Sequence, residues 1–167
     1  MPKLPEGVKG GAKSAILEGF MRYLGLDVGD RTIGAAVSDE TGTLATGLNS
    51  LRRVGPRKDL KAVAGLVRQH EAGEIVVGLP RSLDGSVGPQ ARKVLSFMDE
   101  LRPVVGVPVV PWDERFSTVV AERTLIEAQV SRKDRRAVVD KVSAILILQN
   151  YLDYRKVAEA EASRPAP

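Results

Sequence analysis

The stretch that decides the fold is Tyr23-Leu-Gly-Leu-Asp27-Val28-Gly29-Asp30-Arg31-Thr32-Ile-Gly34-Ala-Ala-Val-Ser38. Tyr23 to Val28 alternates as a strand does, Gly29-Asp30 supplies turn residues, and Thr32 to Ser38 alternates again, which predicts an antiparallel hairpin. Thr43 to Leu51 supplies a third strand after the Thr41-Gly42 turn. Then the period changes. Pro56 stands at a helix start, with Leu60, Val63, Ala64 and Val67 on one face and Gly73 beyond the end. Ile75-Val76-Val77 is a short, continuously apolar run of the kind that parallel sheets bury on both faces. Pro89 opens a second helix to about Leu101, Val107 to Val110 forms another strand, and Ser117 caps a helix through about Ala128. Ser131 and Asp134 make a capping-box pattern ahead of a long helix ending near Tyr154. The order predicts an α/β protein with one mixed five-stranded sheet, three antiparallel meander strands plus two parallel ones, flanked by helices.

That order of elements is the ribonuclease H-like architecture. Residues 1–20, rich in Pro, Gly and Lys, read as a flexible N-terminal extension, residues 21–155 as the domain, and residues 156–167 as a flexible tail. A chain of 167 residues fits one such domain. Zero cysteines exclude disulfides, thiolate zinc sites and cysteine nucleophiles, and the single histidine, His70, excludes a paired-histidine metal site. At 4% aromatic residues, rows of base-stacking side chains are not expected. No run of 18 apolar residues exists, and Ala15-Ile16-Leu17 is too short for a signal core, so no membrane partner and a reducing cytoplasm are expected. The net charge of +4 favours a polyanionic partner only weakly, since the chain up to Arg22 supplies +2 of it (Lys3, Lys9, Lys13 and Arg22 against Glu6 and Glu18). Twenty-one acids remain as candidate catalytic side chains.

Three acidic places stand out. Asp27 interrupts an apolar strand just before a glycine turn, and a buried carboxylate without a partner costs several kcal/mol. It reads either as a metal ligand, with Gly29 and Gly34 permitting close approach of a phosphate backbone, or as a cap on its own turn. Asp113-Glu114 lies where the last parallel strand hands over to a helix, at the strand ends where ligands of open α/β sheets collect. Adjacent strand residues point opposite ways, so one of the two faces the site and Arg115 can pair with the other or contact a phosphate; taken alone, the segment reads rather as a surface salt-bridge cluster. Asp140 lies on the last helix in line with Ala144, Ile147 and Tyr151, an otherwise mostly apolar stripe, and reads either as a used or paired acid or as one that merely complements the dipole near a helix N-terminus. In this topology Asp27, Glu114 and Asp140 can converge. Crowded carboxylates repel by about 4 kcal/mol per close pair at an effective dielectric of about 20. Hard oxygen ligands without His or Cys select Mg²⁺ or Mn²⁺, and two such ions about 3.5–4 Å apart would clamp the attacking water and leaving oxygen of a phosphodiester.

The loop Gly78-Leu79-Pro80-Arg81-Ser82-Leu83-Asp84-Gly85-Ser86-Val87-Gly88-Pro89-Gln90 offers glycines, Ser86 and a helix N-terminus to a phosphate, with Arg81 assisting. It equally reads as a tight strand-to-helix connection, because Asp84-Gly85 is a turn signal and no Walker ending is present. Arg132, Lys133, Arg135 and Arg136 open the last helix as a candidate nucleic-acid contact or a solvated face. His70 reads as structural.

Four motifs in order carry a family likeness. They are Leu24-Gly-Leu-Asp27-Val-Gly29 with Arg31 and Ile33-Gly34; Val77-Gly-Leu-Pro80 with Asp84-Gly85-Ser86 and Gly88-Pro-Gln90; Asp113-Glu-Arg115 with Ser117-Thr118; and Val139-Asp-Lys141 with Ile147-Leu-Gln149 and Tyr151-Leu152. From Met21 to about Tyr154 the chain resembles the YqgF (RuvX-like) family of pre-16S rRNA nucleases, also described as Holliday junction resolvase-like. The resemblance implies a ribonuclease H-like fold, metal-dependent phosphodiester hydrolysis and maturation of the 5′ end of small-subunit ribosomal RNA, with junction resolution as the alternative. It carries the acidic positions onto Asp27, Glu114 and Asp140. Resolvases of related fold place an acid at the end of the fourth strand, whereas that place here is Gly78-Leu79-Pro80. The expected partners are structured RNA such as a ribosomal precursor, or branched or single-stranded DNA, contacted by Arg31, Arg81, Arg115, Lys133, Arg136 and Lys141 of a monomer or homodimer. Two other classes compete. An actin-like kinase also opens with Gly-x-Asp-x-Gly but needs a second such domain, and a silent nucleic-acid-binding module would keep the basic face without needing all the acids.

Overall fold

The computed structural model describes residues 20–116 and 132–167. Its strands are β1 (Arg22–Val28), β2 (Thr32–Ser38), β3 (Ala45–Gly47), β4 (Leu51–Arg52), β5 (Ala72–Leu79) and β6 (Val109–Asp113). The helices among these residues are α1 (Pro56–His70), α2 (Pro89–Val105) and α3 (Arg132–Ala162), with a 3₁₀ turn at Glu114–Phe116. The sheet runs β3-β2-β1-β5-β6, with β4 also paired to β2. β1 is antiparallel to β2 and parallel to β5, and β5 is parallel to β6. This is the mixed sheet expected from the sequence.

Local differences have physical causes. The third strand arrives in two pieces, because Gly47 faces Ala36 while Leu51 faces Ile33. Leu48-Asn49-Ser50 therefore opposes only Gly34-Ala35, a one-residue bulge in which the Leu48 N–H still donates to the Ala35 carbonyl at 2.9 Å. α1 ends at His70 with Glu71 in the left-handed region at φ 51°, so the predicted stop residue Gly73 is released into β5. There its bare Cα faces Met21, whose Sδ would lie 2.7 Å from any Cβ. α3 does not give way to a tail at Lys156. It continues to Ala162, with Arg155 and Glu159 paired at 2.8 Å one turn apart. The helix predicted from Ser117 to Ala128, the Ser131 cap and the extension up to residue 19 lie outside the described residues.

Strand alternation divides the core between the two faces of the sheet. Leu24, Leu26, Ile33, Ile75 and Val77 pack against Val63 and Val67 of α1 and Val94, Met98 and Leu101 of α2. Tyr23, Ala36 and Val76 point the other way, against Ala144, Ile147, Leu148 and Leu152 of α3. On that second face four strands contribute a glycine. A Cβ at Gly25 would stand 2.7 Å from Leu148 Cβ, and one at Gly47 2.5 Å from Lys141 Cγ. At Gly34 it would stand 2.9 Å from the Asp140 carbonyl carbon and closer still to its oxygen. At Gly78 it would collide with Ile147 Cδ1 and the Glu114 carboxylate. These glycines let α3 lie directly on the sheet; at Gly34 and Gly25 the neighbours are backbone or Cβ atoms of the helix that cannot turn aside, whereas at Gly47 and Gly78 they are flexible side chains.

Candidate active site

Asp27, next to last in β1, points toward α3 from the only acidic position in that strand. Pairing register places it between two bare positions. Asp27 faces Gly34 across the antiparallel ladder, and the Leu26–Val77 pair brings Gly78 alongside on the parallel one. Each glycine admits another acid-bearing segment. The α3 backbone at Asp140 rests on Gly34, and the Glu114 carboxylate rests on Gly78. Glu114 begins the 3₁₀ turn just after β6, whose Trp112 faces Gly78. The place that lacks an acid at the end of β5 is therefore filled by a carboxylate reaching over from the neighbouring strand.

The charges respond to this crowding. Burial, reinforced by the charge of Asp140, raises the Asp27 carboxyl to about 6. Burial, then the charges of Asp27 and Asp113, raises Glu114 to about 7. The Thr32 hydroxyl donates to Asp140 Oδ2 at 2.5 Å and holds that carboxylate toward β2. Of the two adjacent acids at the end of β6, Asp113 within it and Glu114 just after it, Glu114 is the one that reaches Gly78 and Asp27. Asp113 instead accepts a forked pair of bonds from Arg115 Nε (2.9 Å) and Nη2 (2.6 Å), which hold its carboxyl below the usual range.

The donor set is all carboxylate oxygen, the chemistry that suits a hard divalent cation. Burial first and mutual repulsion second raise Asp27 and Glu114, and such a cation would favour the charged form of both. The acids meet in pairs, with Asp27 shared between Asp140 and Glu114. Among the described residues no group of three or more stands close enough to hold one ion together. A bound ion would thus be held by Asp27 with one neighbour.

The phosphate-cradle expectations do not survive the geometry. The Gly29 N–H donates to the Thr32 carbonyl at 2.9 Å and closes the hairpin. The open side of Gly34 is occupied by α3. The Gly85 N–H donates to the Ser82 carbonyl at 2.8 Å and the Ser86 N–H to Asp84 Oδ1 at 2.9 Å, so this loop satisfies its own donors, with Gly85 at φ 83°. It is a turn closed on itself. Arg31 and Arg81 are exposed, and the charge of Arg81 helps to lower Asp113. Arg115 is committed to Asp113, and the Lys141 stem covers Gly47. Lys133 and Arg136 belong to the first turns of α3, and their side chains lie outside the described residues. Two contributors went unread in the sequence, Thr32 as the support of Asp140 and Gly78 as the seat of Glu114. Strand alternation places both on the face of Asp27, but only the crossing of α3 and the turn after β6 gives them partners.

The chain matches the RuvX family, described as a Holliday junction resolvase, over residues 21–154. It is 48% identical over 137 residues to a Thermoanaerobacter pseudethanolicus protein named "Putative pre-16S rRNA nuclease", covering 81% of this chain and 99% of that one. A protein of the same name from Halothermothrix orenii is 52% identical over 135 residues, covering 81% of this chain and 96% of that one. Among solved structures, RuvC of T. thermophilus in complex with a Holliday junction substrate superposes with a TM-score of 0.54 at 14% identity, covering 82% of this chain and 96% of that one. That likeness concerns the fold, and it agrees with the ribonuclease H-like order of elements.

Proposed function

Because this chain belongs to the RuvX family, we propose that it is a nuclease that hydrolyses phosphodiester bonds with a divalent cation and matures the 5′ end of precursor small-subunit ribosomal RNA. The observation that carries the reading is the pair of glycines beside Asp27, which admit Asp140 from one side and the Glu114 carboxylate from the other. The same bare positions that let α3 and the turn after β6 come close also bring their carboxylates up to a partly buried acid. They concentrate negative charge there.

Asp27, paired with Asp140 on one side or with Glu114 on the other, would hold Mg²⁺ or Mn²⁺ through hard oxygens. The bound cation supplies positive charge to the attacking water and the leaving oxygen. The chain's own groups supply the remainder. Thr32 fixes the direction of Asp140 through its 2.5 Å bond. Without a cation Glu114 is raised to about 7 by burial and by the charges of Asp27 and Asp113, and a bound cation would draw it back toward the charged form. Arg115 ties down Asp113 and keeps the second acid of the pair away from the centre.

The test uses labelled precursor rRNA, unstructured single strands and four-way DNA junctions, each with Mn²⁺, Mg²⁺ or EDTA. Cleavage of precursor rRNA by the wild type, abolished by EDTA and by Asp27→Asn, is the expected result. Cleavage that persists in EDTA or in Asp27→Asn removes the metal mechanism. Preference for junctions over RNA replaces the substrate, and binding without cleavage under any cation replaces the nuclease by a silent binding module.

A further inference from the structure

We propose that the cleft between the first turns of α1 and α2 receives the sugar-phosphate backbone of the substrate strand beyond the scissile bond. Resting on the hydrolytic reading above, the inference adds a second contact surface on the opposite face of the sheet, joined to the acids over the β1–β2 turn. The cleft measures about 430 Å³ and is lined by Arg53, Arg92 and Lys93 with one acid, Glu100, besides Pro56, Ser96 and Phe97. Both helices begin at the sheet end where β1 finishes, since α2 follows β5, parallel to β1, and α1 follows β4, paired beside Thr32. Their N-caps are Gly55 and Gly88, neither with a side-chain cap bond; the first turn of α1 carries Asp59, which accepts from the Val54 N–H at 3.0 Å, whereas the start of α2 carries no acid and its partial positive charge faces this end.

The fixed cations add to it. Leu51 to Lys58 contains Arg52, Arg53, Arg57 and Lys58 and no acid. Among the described residues Arg31, Arg52, Arg57, Lys58 and Arg92 take part in no ion pair. Arg53 is held by nearly buried Asp59 at 3.0 Å and lies over the Phe97 ring at 5.5 Å, which makes a firm floor. The cleft is also mechanically joined to the catalytic strand. Arg53 Nη1 donates to the Gly29 carbonyl at 2.9 Å, Gln90 Nε2 to the Val28 carbonyl at 3.4 Å, and Lys93 pairs with Asp30 at 3.0 Å. These are the three residues that follow Asp27. A polymer with one negative charge per residue, engaged at Asp27 and turning over Arg31, meets the unpaired Arg52, Arg57, Lys58 and Arg92 along this path, set among the acids Asp30 and Glu100. A compact anion would use only one point of it.

The experiment measures binding and turnover separately on the full chain. Fluorescence anisotropy of a labelled single-stranded RNA of about 15 nucleotides, in EDTA so that nothing is cut, is followed from about 50 to 300 mM salt. The exposed pair Arg57→Glu/Arg92→Glu is expected to weaken binding about tenfold or more and to flatten the salt slope by about one or more, the loss of one or two phosphate contacts. With Mn²⁺ the same variant raises KM while kcat stays within about twofold. Lys156→Glu, at the opposite end of the sheet beside Met21 and Thr41, serves as the control and leaves both unchanged. An unchanged affinity and slope in the double variant overturns the proposal, as does an equal loss in Lys156→Glu, which would make the effect one of bulk charge. A wild type that binds with the expected salt slope but cuts under no cation overturns the hydrolytic reading alone and leaves the cleft as an RNA surface.

Discussion

Adding one methyl group at two different glycines should move stability in opposite directions. At Gly34 a new Cβ would lie 2.9 Å from the Asp140 carbonyl carbon, 3.4 Å from its Cα and closer still to the oxygen. These are backbone atoms of a long helix, so no rotamer change makes room. α3 would have to lift, and it is seated on Gly25, Gly47 and Gly78 at the same time. Overpacking of this kind costs about 1–3 kcal/mol, and rigid neighbours put Gly34→Ala at the upper end, ~3 kcal/mol. For a domain of this size that corresponds to a fall in Tm of about 6–12 °C. Gly65 lies inside α1 with nothing within 4 Å of its would-be Cβ. There Ala removes backbone freedom from the unfolded chain and should add about 0.5–1 kcal/mol. Urea and thermal unfolding of both variants in EDTA provide the measurement. If Gly34→Ala stays within about 0.5 kcal/mol of wild type, or if the two variants shift the same way, α3 does not rest on the sheet as described and the geometry of Asp140 falls with it.

At Gly78 the colliding atoms are the ends of flexible side chains, Glu114 and Ile147, so Gly78→Ala should keep stability within about 1 kcal/mol but displace the carboxylate and lower kcat on the order of 100-fold. Full activity in that variant would show that the seat does not matter. The pH dependence of the metal-free protein follows from the raised carboxyls. Asp27, raised from 3.8 to about 6, and Glu114, raised from 4.5 to about 7, hold their protons more tightly folded than unfolded. Their contribution is therefore complete below about pH 4 and is lost as pH rises through 6 to 7. Asp39, Asp59, Asp84 and Asp113, all lowered, act in the opposite sense, but only in acid below the usual carboxylate range. Urea melts in EDTA should thus show falling stability from pH 5 to 8, relieved by Asp27→Asn on the order of 1–3 kcal/mol and by millimolar Mn²⁺ in the wild type. A metal-free protein that becomes more stable over that range contradicts the crowding of the acids.

The parts of the fold carried by local pattern were readable in advance. The hairpin around Gly29-Asp30, the buried run at Ile75–Val77 and the proline-started helices each announce themselves within a few residues, through backbone preference and the side-chain period of strand or helix. The break in the third strand was not, because the bulge at Leu48–Ser50 depends on what lies across from it in β2. The end of α1 was missed for a related reason. Gly73 is a reasonable stop signal, but Glu71 takes the left-handed position and Gly73 serves β5 against Met21. Glycine carries this ambiguity wherever it occurs, since a missing side chain looks the same in sequence whether it serves a turn, a phosphate or a neighbouring helix.

By itself the sequence pointed to carboxylate chemistry and singled out the acids proposed to carry it. Cysteine is absent and histidine single, and the charge at Asp27 in an apolar strand and at Asp140 on an apolar helix stripe is expensive enough to need a purpose. Only the tertiary structure decided between Asp113 and Glu114, turned Gly34 from a phosphate contact into the footing of α3, closed the Gly85-Ser86 loop on itself and made Gly78 the seat of a carboxylate from the next strand. The reason is range. Periodicity and turn chemistry report what a residue does for its own segment, whereas the bond from Thr32 to Asp140 joins positions 108 residues apart and exists only because bare glycines let a helix come down onto the sheet.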